Sequence, residues 1–355
     1  MLEGIGAVQA KNLISYCGGV DAVFKQKKSQ LLKIPGIGPI TADNILKGTC
    51  FKQAEDEINF IEKNHIEVLP YTSSKFPKRL THCTDSPLLL YKKGSANLNY
   101  AKTISIVGTR KATKYGKDFI IQLCEDLKNN EIQIISGLAL GIDGQAHKSA
   151  IDNKLSTVAV LGHSLNTIYP SLHKNLAEDI VKNNGALLSE YPSFEPMHPS
   201  NFPMRNRIVA GMSDAVIVVE SAVKGGAIIT ANIANSYNRD VFALPGRYKD
   251  KYSAGCNFLI KTNKSHLIEN ANDLLNIMGW HTNVKKPKQI QRQLAIDLSE
   301  DEQKVIATLK DTDGLEVDLL MVKTNINGSM LAAILLELEL KGIIYSLPGN
   351  RYILS

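Results

Sequence analysis

Six short apolar runs, separated by helix-length amphipathic stretches, occupy the middle of this chain between Thr103 and Met278. The runs are TISIV at 103–107, IQIIS at 132–136, TVAVLG at 157–162, ALLSE at 186–190, AVIVV at 215–219 and VFALPG at 241–246. Strands this apolar belong in a parallel sheet that helices cover on both faces. The pattern predicts a doubly wound α/β core over 103–281.

The length and composition limit the class of protein. A chain of 355 residues, 44% hydrophobic and 21% charged, is long enough for two or three domains and too apolar for wholesale disorder. No apolar run reaches the roughly 18 residues of a membrane span, and the start lacks the order of a signal peptide. The five cysteines include no C-x-x-C pair. We expect a cytoplasmic protein without disulfides, metal, cofactor or membrane contact.

The segments before the core contain a short repeat and a proline-rich stretch. LEGIGAVQAKNLI at 2–14 recurs as IPGIGPITADNIL at 34–46, and both copies indicate a helix, a Gly-x-Gly turn and a second helix. The repeat predicts a helical domain over 1–65. Scattered prolines between short apolar runs at 66–102 favour a loop-rich connector with up to two edge strands.

The segments after the core differ in charge. Residues 283–293, NVKKPKQIQRQ, carry four basic residues and no acid, which predicts a linker over 282–297. At 298–355, Ser299 and Glu302 form a capping-box pattern, two further helices follow, and two β-prone runs surround Pro348 and Gly349. Three helices and a hairpin predict a winged-helix domain.

Net charge is +6 overall, but it is unevenly distributed. Residues 298–355 hold nine acidic and five basic residues, whereas the first 297 residues hold 36 basic and 26 acidic ones, a net +10. A polyanion should therefore bind the front and middle of the chain.

Turns rich in glycine and cationic side chains follow several of the predicted strands, on the edge where open α/β sheets bind ligands. Glycines there allow backbone amides to approach a phosphate, and guanidinium and aromatic groups suit a single nucleic-acid strand. The candidate residues are Gly108, Arg110, Ser136, Gly137, Gly141, Asn201, Phe202, Arg205, Asn206, Arg207, Lys224, Gly225 and Gly226. Two alternatives stay open: the glycines serve close strand–helix packing, and the arginines belong to a solvated helix start paired with acids.

Catalytic patterns are poorly represented. His147, His163 and His173 lie near these turns, but none stands in a metalloprotease, nucleophile-elbow or P-loop motif, so they read as structural residues. Asp143 could form a catalytic carboxylate pair with Glu190 or Glu220. These residues follow different strands, however, and that position favours roles in capping helices and bracing loops. We therefore predict no catalytic residue and no enzyme.

These motifs resemble those of the DprA (Smf) family of bacterial proteins. The matching stretches are VGTR at 107, SGLALGIDGQAH at 136, VLGHSLNTIYP at 160, LLSEYP at 187, NFPMRNRIVAGMSD at 201, KGGAIITANIA at 224, FALPG at 242 and GCNFLIKTNKSHLI at 255. The resemblance implies a Rossmann-like core that binds single-stranded DNA, protects it during natural transformation of competent cells and loads RecA onto it. It assigns phosphate contacts to Arg110, Gly137, Arg205, Arg207 and Lys224.

The family also implies a homodimer through the core, a RecA surface near the dimer edge and contact with single-strand-binding protein. Many members have a basic residue after the tyrosine–proline pair, where this chain has Ser171; Lys174 is the expected substitute. Consecutive Phe258, Leu259 and Ile260 support a dimer, because a helix cannot bury all three against its own sheet.

The flanking domains are less determined. The Gly-Ile-Gly repeats look like SAM-like helix-hairpin-helix units, whose turns at Gly36 and Gly38, with Lys11, would contact a DNA backbone; the alternative is protein contact alone. The third helix of the winged-helix domain carries Glu337 and Glu339. A helix that enters a major groove needs donors, so we expect this domain to contact protein.

Two other functions remain possible from the sequence. The first is a nucleotide phosphoribohydrolase similar to the plant LOG proteins, although KGGAIITAN lacks the glutamate of their PGGxGTxxE stretch. The second is a nucleotide-sensing regulator whose winged helix binds an operator. For the leading function, alanine at Arg110, Arg205 or Lys224 should weaken DNA binding without unfolding the domain.

Overall fold

The computed structural model describes residues 4–48, 50–280, 298–310, 312, 314–347 and 351–354. The chain forms two units, Met1–Thr282 and Asn283–Ser355. The basic linker predicted at 282–297 lies outside the described residues, and so does the start of the helix predicted ahead of the first Gly-Ile-Gly turn.

The first part of the first unit is helical, as the repeat predicts. Its helices are α1 (Ala7–Cys17), α2 (Val20–Phe24), α3 (Lys28–Leu31), α4 (Pro39–Lys47) and α5 (Cys50–Lys63). Gly6 and Gly38, the last glycines of the two repeats, form the N-caps of α1 and α4. The α5 carboxylate of Glu57 accepts hydrogen bonds from the backbone amide of Ser193 (2.9 and 3.0 Å), which holds these helices against the sheet.

The rest of the first unit is a mostly parallel sheet between two helical layers. Its strands are β1 (Glu67–Pro70), β2 (Leu89–Gly94), β3 (Lys102–Val107), β4 (Ile132–Ser136), β5 (Thr157–Val160), β6 (Ala186–Ser189), β7 (Ala215–Val218), β8 (Asp240–Ala243) and β9 (His266–Leu267). Its helices are α6 (Lys78–Thr81), α7 (Lys114–Leu127), α8 (Ile142–Asp152), α9 (Lys174–Lys182), α10 (Asn201–Gly211), α11 (Gly226–Ser236), α12 (Ala254–Lys261) and α13 (Ala271–Ile277). Strands β3 to β8 are the six predicted apolar runs.

The strand order within the described residues is β1-β2-β6-β5-β4-β3-β7-β8-β9. Strands β3 to β9 pair in parallel, and the order reverses direction between β3 and β7. Neighbouring strand residues enter different hydrophobic clusters: Val216 and Val218 pack in one, Ala215 and Ile217 in the other. Because side chains alternate across a strand, both faces are covered, and the doubly wound architecture is confirmed.

Residues 66–102 form the two strands that the sequence allowed, and these strands extend the sheet rather than merely connect two domains. Strand β1 pairs antiparallel with β2, and β2 pairs antiparallel with β6. Leu69, Leu80 and Leu90 are buried in the same cluster as the central strands. The physical reason is that this segment covers the edge strand β6, whose backbone groups would otherwise lack partners.

The second unit has the predicted winged-helix arrangement. Its helices are α14 (Glu300–Leu309), α15 (Val317–Thr324) and α16 (Gly328–Leu340), and its strands are β10 (Leu315–Glu316), β11 (Ile344–Leu347) and β12 (Arg351–Leu354). The described strands form a sheet in the order β10-β12-β11. The capping box is present: Ser299 N donates to Glu302 Oε2 at 2.7 Å, and Glu302 N donates to Ser299 Oγ at 3.3 Å.

Apolar helices in this unit are short. Among the described residues no single helix has the length and hydropathy to cross a membrane; α15 and α16 meet that test only as a pair, bent by 109°.

Candidate nucleic-acid interface

An open groove of about 650 Å³ lies at the carboxyl ends of β3, β4 and β7, where the strand order reverses. This is the position at which open α/β sheets bind their ligands. The lining residues are 107–111, Ala139, Asp143, Tyr169, Pro199, Phe202, Pro203, Arg205, Asn206, Ser221, Ala222, 225–227, Thr230 and Tyr252. We refer to this site as the groove.

The floor of the groove requires two of the predicted glycines. A Cβ on Gly108 would lie 2.5 Å from Ile142 Cγ1 and 2.9 Å from the Glu220 carbonyl oxygen. Gly141 has φ +82°, and its Cβ would lie 2.3 Å from the Thr109 carbonyl oxygen. Both glycines therefore serve close packing between loops, and this packing brings the backbone of the β3 and β4 loops to the floor of the groove.

Arg110 and two aromatic rings form one wall of the groove. The Arg110 guanidinium carbon lies 6.0 Å from the centroid of the Phe202 ring, and the rings of Phe202 and Tyr169 lie 5.6 Å apart with a tilt of 53°. Arg110 is exposed, and it forms no ion pair with any described residue. An unpaired guanidinium beside aromatic faces can contact a phosphate while a base stacks next to it.

Backbone amides form the other side of the groove. Gly225 is the N-cap of α11 and Gly226 is its first residue, so the first amides of this helix have no intrahelical acceptor. A Cβ on Gly226 would meet nothing within 4 Å, and this glycine faces open space. Lys224 is exposed on the same loop but is not among the lining residues. The helix N-terminus and its dipole favour an anion here.

Arg205 lines the groove, but it is mostly buried and its hydrogen bonds are to the protein, so its phosphate contact stays a prediction. It is 5% exposed. Its Nη1 donates to the carbonyl oxygen of Gly137 at 2.6 Å and to that of Val160. Asp143 accepts from Gly137 N at 3.1 Å; burial raises the pKa of this carboxyl, and the nearby Arg205 charge opposes that shift. Arg205 thus braces the loops after β4 and β5 at the wall of the groove.

Arg207 is also engaged inside the protein. It is 9% exposed, and its Nη2 donates to the carboxylate of Glu190. Burial raises the pKa of Glu190, and the Arg207 charge acts against that shift. Of the two roles that the sequence left open for this arginine, pairing with an acid fits Arg207 better than contact with a phosphate.

The remaining predicted residues divide between the groove and its surroundings. Asn206 lines the groove, and its Oδ1 accepts from Arg205 Nε at 3.3 Å. Ser136 is buried and donates to the carbonyl oxygen of Ile106 at 2.6 Å, so it braces two strands. Asn201 begins α10, and its Nδ2 is buried without a partner among the described residues. Lys174 is exposed at the start of α9, outside the groove lining.

Sequence reasoning missed two tyrosines that line the groove. Tyr169 is 44% exposed and stacks obliquely on Phe202. Tyr252 lies on the loop after β8, where its carbonyl oxygen accepts from Ser221 N at 2.6 Å. The tyrosine–proline pair at 169–170 was a visible signal for the first. No local pattern marked the second.

The three carboxylates weighed as catalytic groups have structural roles. Glu220 accepts from Thr113 N at 2.9 Å and from Thr113 Oγ1 at 2.5 Å, which fixes the start of α7. Asp143 and Glu190 face Arg205 and Arg207 as described above. Bracing of loops and capping of helices therefore account for the contacts of all three carboxylates.

His147, on helix α8, is buried in a defined tautomer. Thr157 Oγ1 donates to the carbonyl oxygen of Ile134 at 3.0 Å, so it must accept from His147 Nδ1, 2.7 Å away. Nε2 is then unprotonated, and it has no partner among the described residues. Burial lowers the pKa of His147 from 6.5 to about 3.

This histidine predicts an acid sensitivity. Its folded-state pKa lies below its unfolded value, so its contribution to stability is complete above pH 6.5 and is lost as the pH falls toward 3. We expect wild type to lose about 1.4 kcal/mol of unfolding free energy per pH unit from this group below pH 6. Urea unfolding of wild type and His147→Leu between pH 7 and 4 measures this loss. The unfolding free energy of wild type should fall relative to that of the variant as the pH falls. A difference between the two proteins that does not change with pH would contradict the lowered pKa of His147.

Lys11 of the first repeat does not point to a DNA backbone. Its Nζ donates to the carbonyl oxygen of Ser86 at 2.7 Å and to Ser86 Oγ at 2.6 Å. Burial lowers the pKa of Lys11, with the Arg207 charge adding to the effect. This corrects the predicted role of Lys11, because the ammonium group joins α1 to the segment before β2. Gly36 and Gly38 are exposed at their turn.

Comparisons with known proteins match all three parts of the chain. The profile of the family described as DNA recombination-mediator protein A matches residues 67–279. The profile of the DprA winged helix domain matches residues 289–350, and that of a SAM-like helix-hairpin-helix tandem matches residues 1–48. These matches confirm the three-part fold that the sequence predicted.

Individual relatives agree with the profiles. Protein Smf of Escherichia coli is 34% identical over 305 residues, which cover 84% of this chain and 80% of that protein. The X-ray structure of DNA processing protein A from Streptococcus pneumoniae superposes with a TM-score of 0.68 at 30% identity, over 78% of this chain and 94% of that one. The structure of DNA processing protein A from Helicobacter pylori, described for its single-stranded DNA binding mode, superposes with a TM-score of 0.55 at 30% identity. The match covers 61% of this chain and 97% of that one. The chain therefore belongs to the DprA (Smf) family of DNA recombination-mediator proteins.

Proposed function

We propose that this protein binds single-stranded DNA in the groove, without catalysing a reaction, and mediates recombination in the cytoplasm by loading RecA onto the strand during natural transformation. The observation that carries the proposal is the pairing of the Arg110 and Phe202 wall with the free amides at the start of α11. Together they offer a cation, a stacking face and an anion site across one open groove. The single-strand binding mode described for the Helicobacter pylori relative supports the same ligand.

The acidic helix of the second unit supports a protein-facing role for the winged helix. Glu337 of α16 pairs with Lys341 at 3.1 Å, and Glu339 accepts from Ser346 Oγ at 2.8 Å. Neither carboxylate suits a phosphate backbone. This disfavours an operator-binding regulator, and we propose that this domain contacts protein rather than DNA.

The direct test is binding of the full chain to single-stranded and duplex oligonucleotides of one sequence. We expect tighter binding to the single strand, little dependence on base sequence, and an affinity that falls steeply between about 50 and 200 mM salt. Fluorescence anisotropy with unlabelled competitors measures all three. Equal affinity for duplex would overturn the proposal, and release of free base from nucleoside monophosphates would favour the phosphoribohydrolase alternative.

We also propose that the protein is a homodimer. In α12, Leu259 is fully buried and Ile260 packs on the core, but Phe258 remains 40% exposed. Two linked grooves would hold a long strand more tightly than two separate ones. Light scattering at tens of micromolar should give a dimer for wild type and a monomer for Phe258→Glu, with Tyr16→Glu on α1 as the exposed control. A wild-type monomer would contradict the dimer.

A further inference from the structure

A second cavity, of about 980 Å³, lies beside the groove on the same edge of the sheet. It is formed by the loop after β8 and the start of α7, and its lining includes Lys114, Tyr115, Arg247, Lys249, Lys251 and Tyr252. We call it the tyrosine cavity. Resting on the proposed function of the groove, we propose that the tyrosine cavity binds further nucleotides of the same single strand.

Continuity between the two sites is provided by Tyr252. This residue lines both the groove and the tyrosine cavity. Its carbonyl oxygen accepts from Ser221 N at 2.6 Å, so the loop after β8 is fixed to the loop after β7 that forms part of the groove. The tyrosine cavity is therefore the next site that a strand leaving the groove past Tyr252 would meet.

The charge of the tyrosine cavity suits a phosphate backbone. Four of its lining side chains are cationic: Lys114, Arg247, Lys249 and Lys251. None of them forms an ion pair within the described part of the chain. The acids that line it are Asp250 and Glu220, and Glu220 is 3% exposed and already accepts from Thr113. The accessible charge is therefore strongly positive.

Aromatic rings accompany these cations. Tyr115 is 51% exposed, and its hydroxyl donates to the carbonyl oxygen of Pro245 at 2.8 Å, which fixes the ring across the cavity. Tyr248, on the same loop, is 82% exposed with Lys249 Nζ 5.4 Å from its ring centroid. Lys251 Nζ lies 5.9 Å from the centroid of Tyr252. Alternating rings and ammonium groups are the arrangement that holds a single strand without reading its sequence.

The test compares two double variants on short and long strands. Arg247→Ala/Lys249→Ala removes two exposed charges of the tyrosine cavity. Lys128→Ala/Lys182→Ala removes two exposed charges at the far ends of α7 and α9, on the opposite edge of the sheet. Binding to oligo-dT of about 4 and about 16 nucleotides is measured by anisotropy over a salt series, with Arg110→Ala as the groove variant.

We expect the cavity variant to bind the long strand at least about tenfold more weakly, to bind the short strand as wild type does, and to lower the salt slope by about 1.4. The control variant should match wild type on both. A cavity variant that binds the long strand like wild type, while Arg110→Ala fails on both, would overturn this inference and leave the groove standing. Absence of single-strand binding by wild type would overturn both.

A second readout locates the bases. An oligonucleotide with 5-iodouracil at successive positions is irradiated on the full chain, and the crosslinked peptides are identified by mass spectrometry. We expect crosslinks to Tyr115, which lines the tyrosine cavity but not the groove, at positions several nucleotides away from those that crosslink to Phe202 or Tyr169. Crosslinks confined to the groove peptides would overturn the inference. The inference would also be overturned if a free mononucleotide suppressed the crosslinks to the tyrosine cavity as strongly as an unlabelled long strand does. That result would indicate a separate site for small ligands.

Discussion

Replacing Arg205 with alanine should lower the free energy of unfolding by about 2–6 kcal/mol, because it leaves the buried carbonyl oxygens of Gly137 and Val160 without their donor, at about 1–3 kcal/mol each. The guanidinium supplies the donors for the carbonyl oxygens of Gly137 and Val160 and the charge opposite Asp143. Urea unfolding of the full chain, followed by circular dichroism, measures the loss. Any weakening of DNA binding would then accompany unfolding, contrary to the expectation from sequence.

The control for this experiment is Arg110→Ala. Arg110 is exposed, so its loss should change stability by no more than about 0.5 kcal/mol. Arg205→Lys keeps the charge but not the planar fork, and we expect an intermediate loss. An Arg205→Ala protein with wild-type stability and lost single-strand binding would support the phosphate contact.

Arg110→Ala should weaken binding of single-stranded DNA by about 10- to 100-fold, since a hydrogen bond to a charged group contributes about 1.5–3 kcal/mol. The effect should be uniform across sequences, because a phosphate contact carries no base information. Losing one phosphate contact should also lower the salt slope by about 0.7. Anisotropy at several salt concentrations measures both quantities.

A second groove variant and a control variant accompany the Arg110 experiment. Phe202→Leu keeps an apolar side chain but removes the ring, and should reduce affinity by the contribution of one stacked base, about 1–3 kcal/mol. Lys128→Ala removes a cation from the other end of the 14-residue helix α7 and should leave affinity unchanged. If Arg110→Ala bound like wild type and Lys128→Ala did not, the DNA path would lie on the opposite edge of the sheet.

The central fold could be predicted from sequence because the local pattern of apolar residues indicates which residues are buried. Wholly apolar runs such as 215–219 appear as strand β7, and the Ser299 and Glu302 pair appears as the cap of α14. Glycine turns after β3 and β4 were also predicted, since Gly108 and Gly141 stand where the backbones meet. In each case the decisive interactions lie within a few residues of the signal or are imposed by its position at the end of a strand.

The partners of charged side chains could not be predicted in this way. Arg110 and Arg205 look equally suited to a phosphate, yet Arg110 is exposed whereas Arg205 is mostly buried and hydrogen-bonded to loop carbonyls. Lys11 is held by Ser86, 75 residues away along the chain. An arginine or lysine takes its role from whichever carbonyl or carboxylate the folded chain brings within reach, and that pairing has no periodicity.

The sequence by itself determined the parallel core, the helical front and the winged helix. Only the tertiary structure decided that β1 and β2 extend the sheet beyond β6, that Arg205 and Arg207 are internal, and that Tyr252 joins the groove to the tyrosine cavity. The physical reason is range: hydrophobic patterning acts along one element, whereas ion pairs, edge-strand pairing and cavity walls are made by segments distant in sequence.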